Sequence, residues 1–316
     1  MRARRAAALL AVSSGMMMAA IPEPNAKTEL RIAATVAPVH SLVAMVTEGI
    51  IEPALIVRPG ASPHGYALKP SEARALDDAD IVFWVGKGLE SWMAKAVTSL
   101  AGDANVIELG EIDGILRLDM RESGAWNEEA HGETEEHGGH NHEHAGGYDP
   151  HFWLDPQNAL IWAEAIAEEL ASADPSNAAS YRANAKAAIL AIETVAVEID
   201  ELLQPVRDKP YAVFHDAYRY FENRFGLQPI GAISLGDADR PGPAGLIEIR
   251  EAIVETGAIC IFAEPQFEPR LIETVIEGSD VSIGTLDPIG AGLQPGAELY
   301  SELLRRLAVS LADCLG

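Results

Sequence analysis

Positive charge is scarce in this chain of 316 residues: 23 lysines and arginines stand against 48 acidic residues, a formal charge of −25. The deficit argues against nucleic acid and anionic membrane surfaces as partners, and it attracts cations. Long hydrophobic runs are absent too, since no internal stretch approaches the roughly eighteen apolar residues of a membrane span. There are only two cysteines, Cys260 and Cys314, so one disulfide at most can form. No His-Glu-x-x-His helix, the zinc-hydrolase pattern, can be found. Nor is there an internal sequence repeat.

What is present is a globular composition, 48 % hydrophobic, on a length that accommodates two lobes, each expected to have its own core. The first 26 residues read as an export signal. Arg2, Arg4 and Arg5 precede a mostly apolar stretch over residues 6–20, with cleavage expected after Ala20 or Ala26. In an exported chain two cysteines point to one disulfide, here tying a late strand to the terminal helix; two buried free thiols are the alternative.

Short apolar strands alternate with helices of 10–15 residues, which predicts parallel βαβ units and an α/β fold. Four strands are expected before residue 122, near Leu30, Ala54, Ile81 and Asn105. Helices are expected from Pro38, Ser71 and Leu89. Residues 122–147 break the pattern: they are polar and carry His131, His137, His140, His142 and His144 among Glu and Gly, a composition that cannot build a packed core. Asp155-Pro156 is a helix start, with an N-cap carboxylate and a proline in the first helical position. A long helix is expected from Asp174-Pro175 to Pro205. Its apolar stripe is Tyr181, Ala185, Ala188, Ile192, Val195, Ile199, Leu202 and Val206. At about 1.5 Å per residue it makes a rod of about 45 Å that can span two lobes. Four further strands follow, near Tyr211, Gln228, Ala258 and Val281, and a terminal helix covers residues 297–313. The expected organisation is an N-terminal lobe over 27–172, a linker helix over 173–206 and a C-terminal lobe over 207–316.

In open parallel sheets ligands bind beyond the carboxyl ends of the strands. Four chemically capable residues fall there: His64 after the second strand, His151 after the fourth, His215 after the fifth and Asp287 after the last. Three imidazoles and one carboxylate, two from each lobe, satisfy a tetrahedral Zn²⁺ site, whereas a second carboxylate in place of an imidazole moves the preference toward manganese or iron. Read one at a time, each could instead be a hydrogen-bonded loop residue or a turn starter.

The motifs that carry these residues have a recognisable form. They are Gly60-Ala-Ser-Pro-His-Gly-Tyr-Ala-Leu-Lys-Pro-Ser, Ala79-Asp-Ile-Val-Phe-Trp-Val-Gly, Asp149-Pro-His-Phe-Trp-Leu-Asp-Pro, Phe214-His-Asp-Ala-Tyr-Arg-Tyr-Phe, Phe262-Ala-Glu-Pro-Gln-Phe and Thr285-Leu-Asp-Pro-Ile-Gly. In that order, from about residue 30 to the C-terminus, the chain resembles the periplasmic metal-binding proteins of ABC importers, cluster A-I, and in particular their ZnuA-type zinc branch. The resemblance implies two βα lobes joined by a rigid helix, with Zn²⁺ received in the cleft and passed to a membrane permease with its ATPase subunits. It implies His64, His151 and His215 as ligands and a disulfide between Cys260 and Cys314. Some zinc members carry a glutamate just before the first ligand; Pro63 stands there in this chain, which leaves Asp287 or a water as fourth ligand.

A metal-bound imidazole usually gives its other N–H to an acceptor, and Glu264, Asp155 and Asp216 are the candidates. His40 is expected as a polar residue by the cleft. Trp84, Tyr66 and Trp153 are expected to pack. Imidazoles crowded in an acidic segment are expected to bind Zn²⁺ weakly, apart from the tight site; the resemblance implies a metal-gathering or sensing loop, and a solvated linker is the alternative. A manganese or iron member of the family, an adhesin of the same fold and a zinc hydrolase are the alternatives. A monomer is expected.

Overall fold

The structure, a computed structural model, describes residues 30–121, 126, 147–234, 243–267 and 270–316. The expected export signal, residues 1–26, and His131, His137, His140, His142 and His144 lie outside them.

The first sheet comprises β1 (Ile32–Ala34), β2 (Ala54–Leu55), β3 (Ile81–Trp84) and β4 (Asn105–Glu108), in the order β2-β1-β3-β4. The second comprises β5 (Tyr211–His215), β6 (Pro229–Ser234), β7 (Cys260–Ala263) and β8 (Ser282–Thr285), in the order β6-β5-β7-β8. Every pairing in both sheets is parallel. The two orders are the same when counted within each lobe, so the architectural echo is complete although the sequences do not repeat. In both sheets the order reverses beside the first strand, which opens a crevice at the carboxyl ends of β1 and β3 and of β5 and β7.

In the first lobe the helices are α1 (Ala37–Val46), α2 (Pro70–Asp77), α3 (Met93–Leu100) and α4 (Pro156–Ala173). The rod α5 (Ala178–Leu203) follows, and α6 (Arg219–Phe225), α7 (Pro243–Thr256), α8 (Arg270–Ile276) and α9 (Leu299–Leu315) belong to the second. Asp155 caps α4 as its sequence predicts, accepting the Gln157 amide at 2.9 Å.

Three expectations are corrected. The rod starts at Ala178 and not at Asp174-Pro175, because the Asp174 carboxylate accepts from Ser176, Asn177 and Tyr181 and closes a local turn instead of the first helical one. Its buried stripe passes through Leu203; Leu202 is 41 % exposed. Likewise α3 begins at Met93 and not at Leu89. The chain turns at Gly86, whose φ of 147° excludes side chains, and Glu90 folds back to accept the Val85 amide at 2.9 Å.

The lobes do not have wholly separate cores. One apolar cluster runs from β1 and α1 through α4 and α5 to β5, β7 and α9, including Leu42, Trp162, Tyr181, Ile192, Phe262 and Leu307. Each sheet's other face has its own smaller cluster, around Val82 and Leu76 in the first lobe and around Ile261 and Ile249 in the second. The rod therefore holds the lobes against a shared core. Cys260 in β7 is bonded to Cys314 in α9, with Cα atoms 6.2 Å apart, so the free-thiol alternative falls.

Candidate metal centre

His64 lies in the loop after β2, four residues beyond Gly60, which has a φ of 82°. His151 stands directly ahead of a 3₁₀ turn over Phe152–Leu154, fixed on its far side by the capped start of α4. His215 is the last residue of β5. Three different connections, two from one lobe and one from the other, thus supply one imidazole each.

The three rings converge. Their ligand nitrogens all lie within 4.8 Å of one another, the sole such cluster among the described residues. Ring centres are 5.1 Å apart for His151 and His215, 5.4 Å for His64 and His151, and 5.6 Å for His64 and His215. A tetrahedral ion with Zn–N of about 2.0–2.1 Å places ring centres about 3.2 Å from itself, hence about 5 Å from each other. The observed triangle is close to that size. His151 and His215 are buried, and His64 is half-buried at the mouth.

Between the rings the free space is about 10 Å³, walled by Trp153, Phe267, Pro288 and Ile289. That holds one small ion or one water. A space of about 70 Å³ adjoins it on the other side, beneath Met120 and Arg121. A concavity of about 750 Å³ lies between β8 and α9 and contains none of the three imidazoles.

Three carboxylates, Asp149, Asp216 and Glu264, line the spaces at the rings. Asp149 Oδ1 accepts both the His151 backbone amide at 2.9 Å and the ring Nδ1–H at 2.8 Å. That bond assigns the proton to Nδ1 and turns Nε2 toward the cluster. Burial pushes the Asp149 carboxyl up to about 7, opposed by the His151 amide and by the charges of His215 and Arg121. Burial also raises Asp216, against the pull of Arg121. Glu264, at the carboxyl end of β7, lies 3.4 Å from His215 Nδ1 and accepts the Tyr218 hydroxyl at 2.9 Å.

Other expectations come out differently. Asp287 is not part of the cluster: its Oδ1 accepts the amides of Ile289 and Gly290, at 3.2 and 3.0 Å, and Gln266 Nε2 at 3.0 Å. Asp155 holds no histidine; besides capping α4 it accepts from Nε and Nη2 of Arg224, at 2.6 and 2.8 Å. Asp216 lines the adjoining space and pairs with Arg121 at 2.7 Å. His40 bonds the Pro53 carbonyl at 2.9 Å, at the amino end of β2 and away from the cleft. Trp84 and Trp153 are buried as expected, and Tyr66 links Arg58 to Glu72.

Asp149 is the functional residue that sequence reasoning missed. Its signal was in plain view, two residues ahead of His151 with a proline between them. Arg121 had none.

Comparison with known proteins agrees with this geometry. Residues 32–314 match the family model described as "ZnuA: Zinc-uptake complex component A periplasmic". The chain belongs to the ZnuA family. A relative from Brucella abortus, called high-affinity zinc uptake system protein ZnuA, is 41 % identical over 305 residues, covering 90 % of this chain and 91 % of its own. A solved structure of a ZnuA superposes with a TM-score of 0.75 at 23 % identity, over 91 % of this chain and 99 % of that one, which bears on the fold alone. A mutant structure of the laminin-binding adhesin Lmb from Streptococcus agalactiae superposes with a TM-score of 0.73 at 26 % identity, over 91 % of this chain and all of that one. The fold is thus shared by ZnuA proteins and adhesins, and the family match favours the first.

Proposed function

We propose that this chain is the periplasmic zinc-binding component of a zinc uptake system, capturing Zn²⁺ on His64, His151 and His215 and passing it to the permease of an ABC importer. The observation that carries the reading is the convergence of three imidazoles from both lobes around a space that fits one ion. An all-nitrogen set favours zinc over manganese and iron, which take more carboxylate. Asp287 being held by its own turn, water completes the coordination shell.

The same dimensions weigh against a hydrolase. A catalytic site needs room for its substrate, commonly about 300–1,000 Å³, and a free general base beside the bound water. Here the spaces at the rings are about 10 and 70 Å³, and the neighbouring carboxylates orient imidazoles or pair with arginine. The chain acts without catalysis, as an exported monomer. Its partners are the permease and the ATPase subunits, and the five-histidine segment collects metal for the site.

The test is a titration of the purified protein with Zn²⁺ in competition with a chelator of known affinity. Wild type should bind one ion tightly, and His215→Ala should lose that binding by orders of magnitude. Equal affinity in the two proteins would overturn the assignment. Affinity should also fall as pH drops below about 6, where imidazoles take up protons.

A further inference from the structure

The backbone just before the histidine-rich segment is paired with the backbone just after it. Asp149 N–H donates to the Leu118 carbonyl at 2.8 Å, Asp119 and Tyr148 form an antiparallel bridge, and Met120 N–H reaches the Gly147 carbonyl at 3.3 Å. This strap ends at Asp149, the carboxylate that orients His151. From it Arg121 crosses to the second lobe. One arm donates to Asp216 Oδ1 at 2.7 Å and the other to Glu222 Oε2 at 2.9 Å. Asp216 is the neighbour of His215, and Glu222 lies on α6, the helix that follows it.

This ion triad is shielded from water. The side chains of Arg121, Asp216 and Glu222 are 20 %, 7 % and 3 % exposed. The Trp126 ring lies 3.8 Å from the guanidinium, and the Trp126 amide donates to the Ile230 carbonyl of β6 at 2.8 Å. Tyr220 of α6 adds a second link, its hydroxyl accepting the Leu118 amide and donating to the Asp149 carbonyl, each at 3.0 Å. A continuous polar path therefore connects two ligands on different lobes: His151, Asp149, strap, Arg121, Asp216, His215.

We propose that Arg121 is a positioning residue of the metal site, a clamp between the lobes that fixes the spacing of His151 and His215 and so limits how fast Zn²⁺ leaves. The inference rests on the three-histidine reading of the site. Separating the two rings means stripping the guanidinium from two buried carboxylates, which is strongly unfavourable. An arginine suits the task because its planar fork bonds both acceptors at once and keeps its charge at every relevant pH. A lysine offers one charge centre and cannot span both.

The experiment is stopped-flow transfer of Zn²⁺ from the loaded full-length protein to excess chelator, for wild type, R121K, R121A and E222Q. Urea unfolding of the metal-free proteins runs alongside. Release should accelerate about tenfold in R121A, within the usual range for coupling between sites. R121K and E222Q, which each leave part of the triad, should fall between R121A and wild type. If R121A does not fold, R121K and E222Q decide. Release within twofold of wild type in the folded variants overturns the clamp, whatever happens to their unfolding midpoints. Should wild type itself fail to bind one Zn²⁺ tightly, the site reading falls and the clamp with it. Should His215→Ala abolish tight binding while the Arg121 and Glu222 variants release at the wild-type rate, the clamp alone falls.

Discussion

Asp149→Asn isolates what an orienting carboxylate contributes to a zinc site. Asp149 Oδ1 accepts two bonds from one residue, the ring Nδ1–H of His151 at 2.8 Å and its backbone N–H at 2.9 Å. An asparagine has the same shape, and its amide oxygen can still accept from the backbone, so the turn should survive. What disappears is the negative charge that the carboxylate carries when Zn²⁺ is bound, which makes the imidazole a better donor and holds its tautomer. Losses of this kind weaken metal binding by about 10–100-fold, or about 1.4–2.7 kcal/mol. Glu264→Gln should cost less, because Glu264 is 3.4 Å from His215 and already accepts the Tyr218 hydroxyl. The assay is chelator competition at pH 7, with urea unfolding as a control for the fold. Zinc affinity within twofold of wild type for Asp149→Asn, or a larger loss for Glu264→Gln, would refute the argument.

Glu90 is fully buried, and burial pushes its carboxyl up to about 7 from an ordinary 4.5. The folded state then holds this proton more tightly than the unfolded one, so stability should decline as pH rises from about 4.5 to about 7, by on the order of 3 kcal/mol. Glu90→Gln should flatten that part of the profile in urea unfolding across pH; an unchanged slope would count against the assignment. Cys314→Ala opens a cross-link between residues 54 apart in sequence. Loop-closure entropy makes this worth about 4 kcal/mol, and a drop of about 2–4 kcal/mol should appear in unfolding under oxidising conditions. Deleting residues 127–146 leaves Arg121, Trp126 and the three site histidines in place. One tight Zn²⁺ should remain and weaker ones should vanish from the titration; loss of the tight ion would show that the segment is part of the site.

Much of the fold was legible because local patterns are consistent with it. Alternating strand and helix signals gave eight parallel strands in two sheets, and Asp155-Pro156 gave the start of α4. The misplaced boundaries share a physical cause: side chains closing turns that propensity reads as helix. Asp174 gathers three donors ahead of α5, and Glu90 returns to the Val85 amide ahead of α3. Leu202 and Leu203 both fit a helical stripe within one residue, and only contact with the shared core selects Leu203.

The sequence by itself determined which residues could bind a metal, because the carboxyl ends of parallel strands are where such folds expose chemistry. It placed His64, His151 and His215 there, and the structure brings them together. Only the tertiary structure decided which carboxylates serve them. Asp287, Asp155, Asp216, Glu264 and Asp149 are all acidic and all near a strand end or helix start. Their roles divide by distances of a few ångströms across the two lobes, between a turn, a cap, an ion pair and an imidazole partner. Such distances depend on how two separately patterned lobes pack on one core, and nothing local in the chain encodes them.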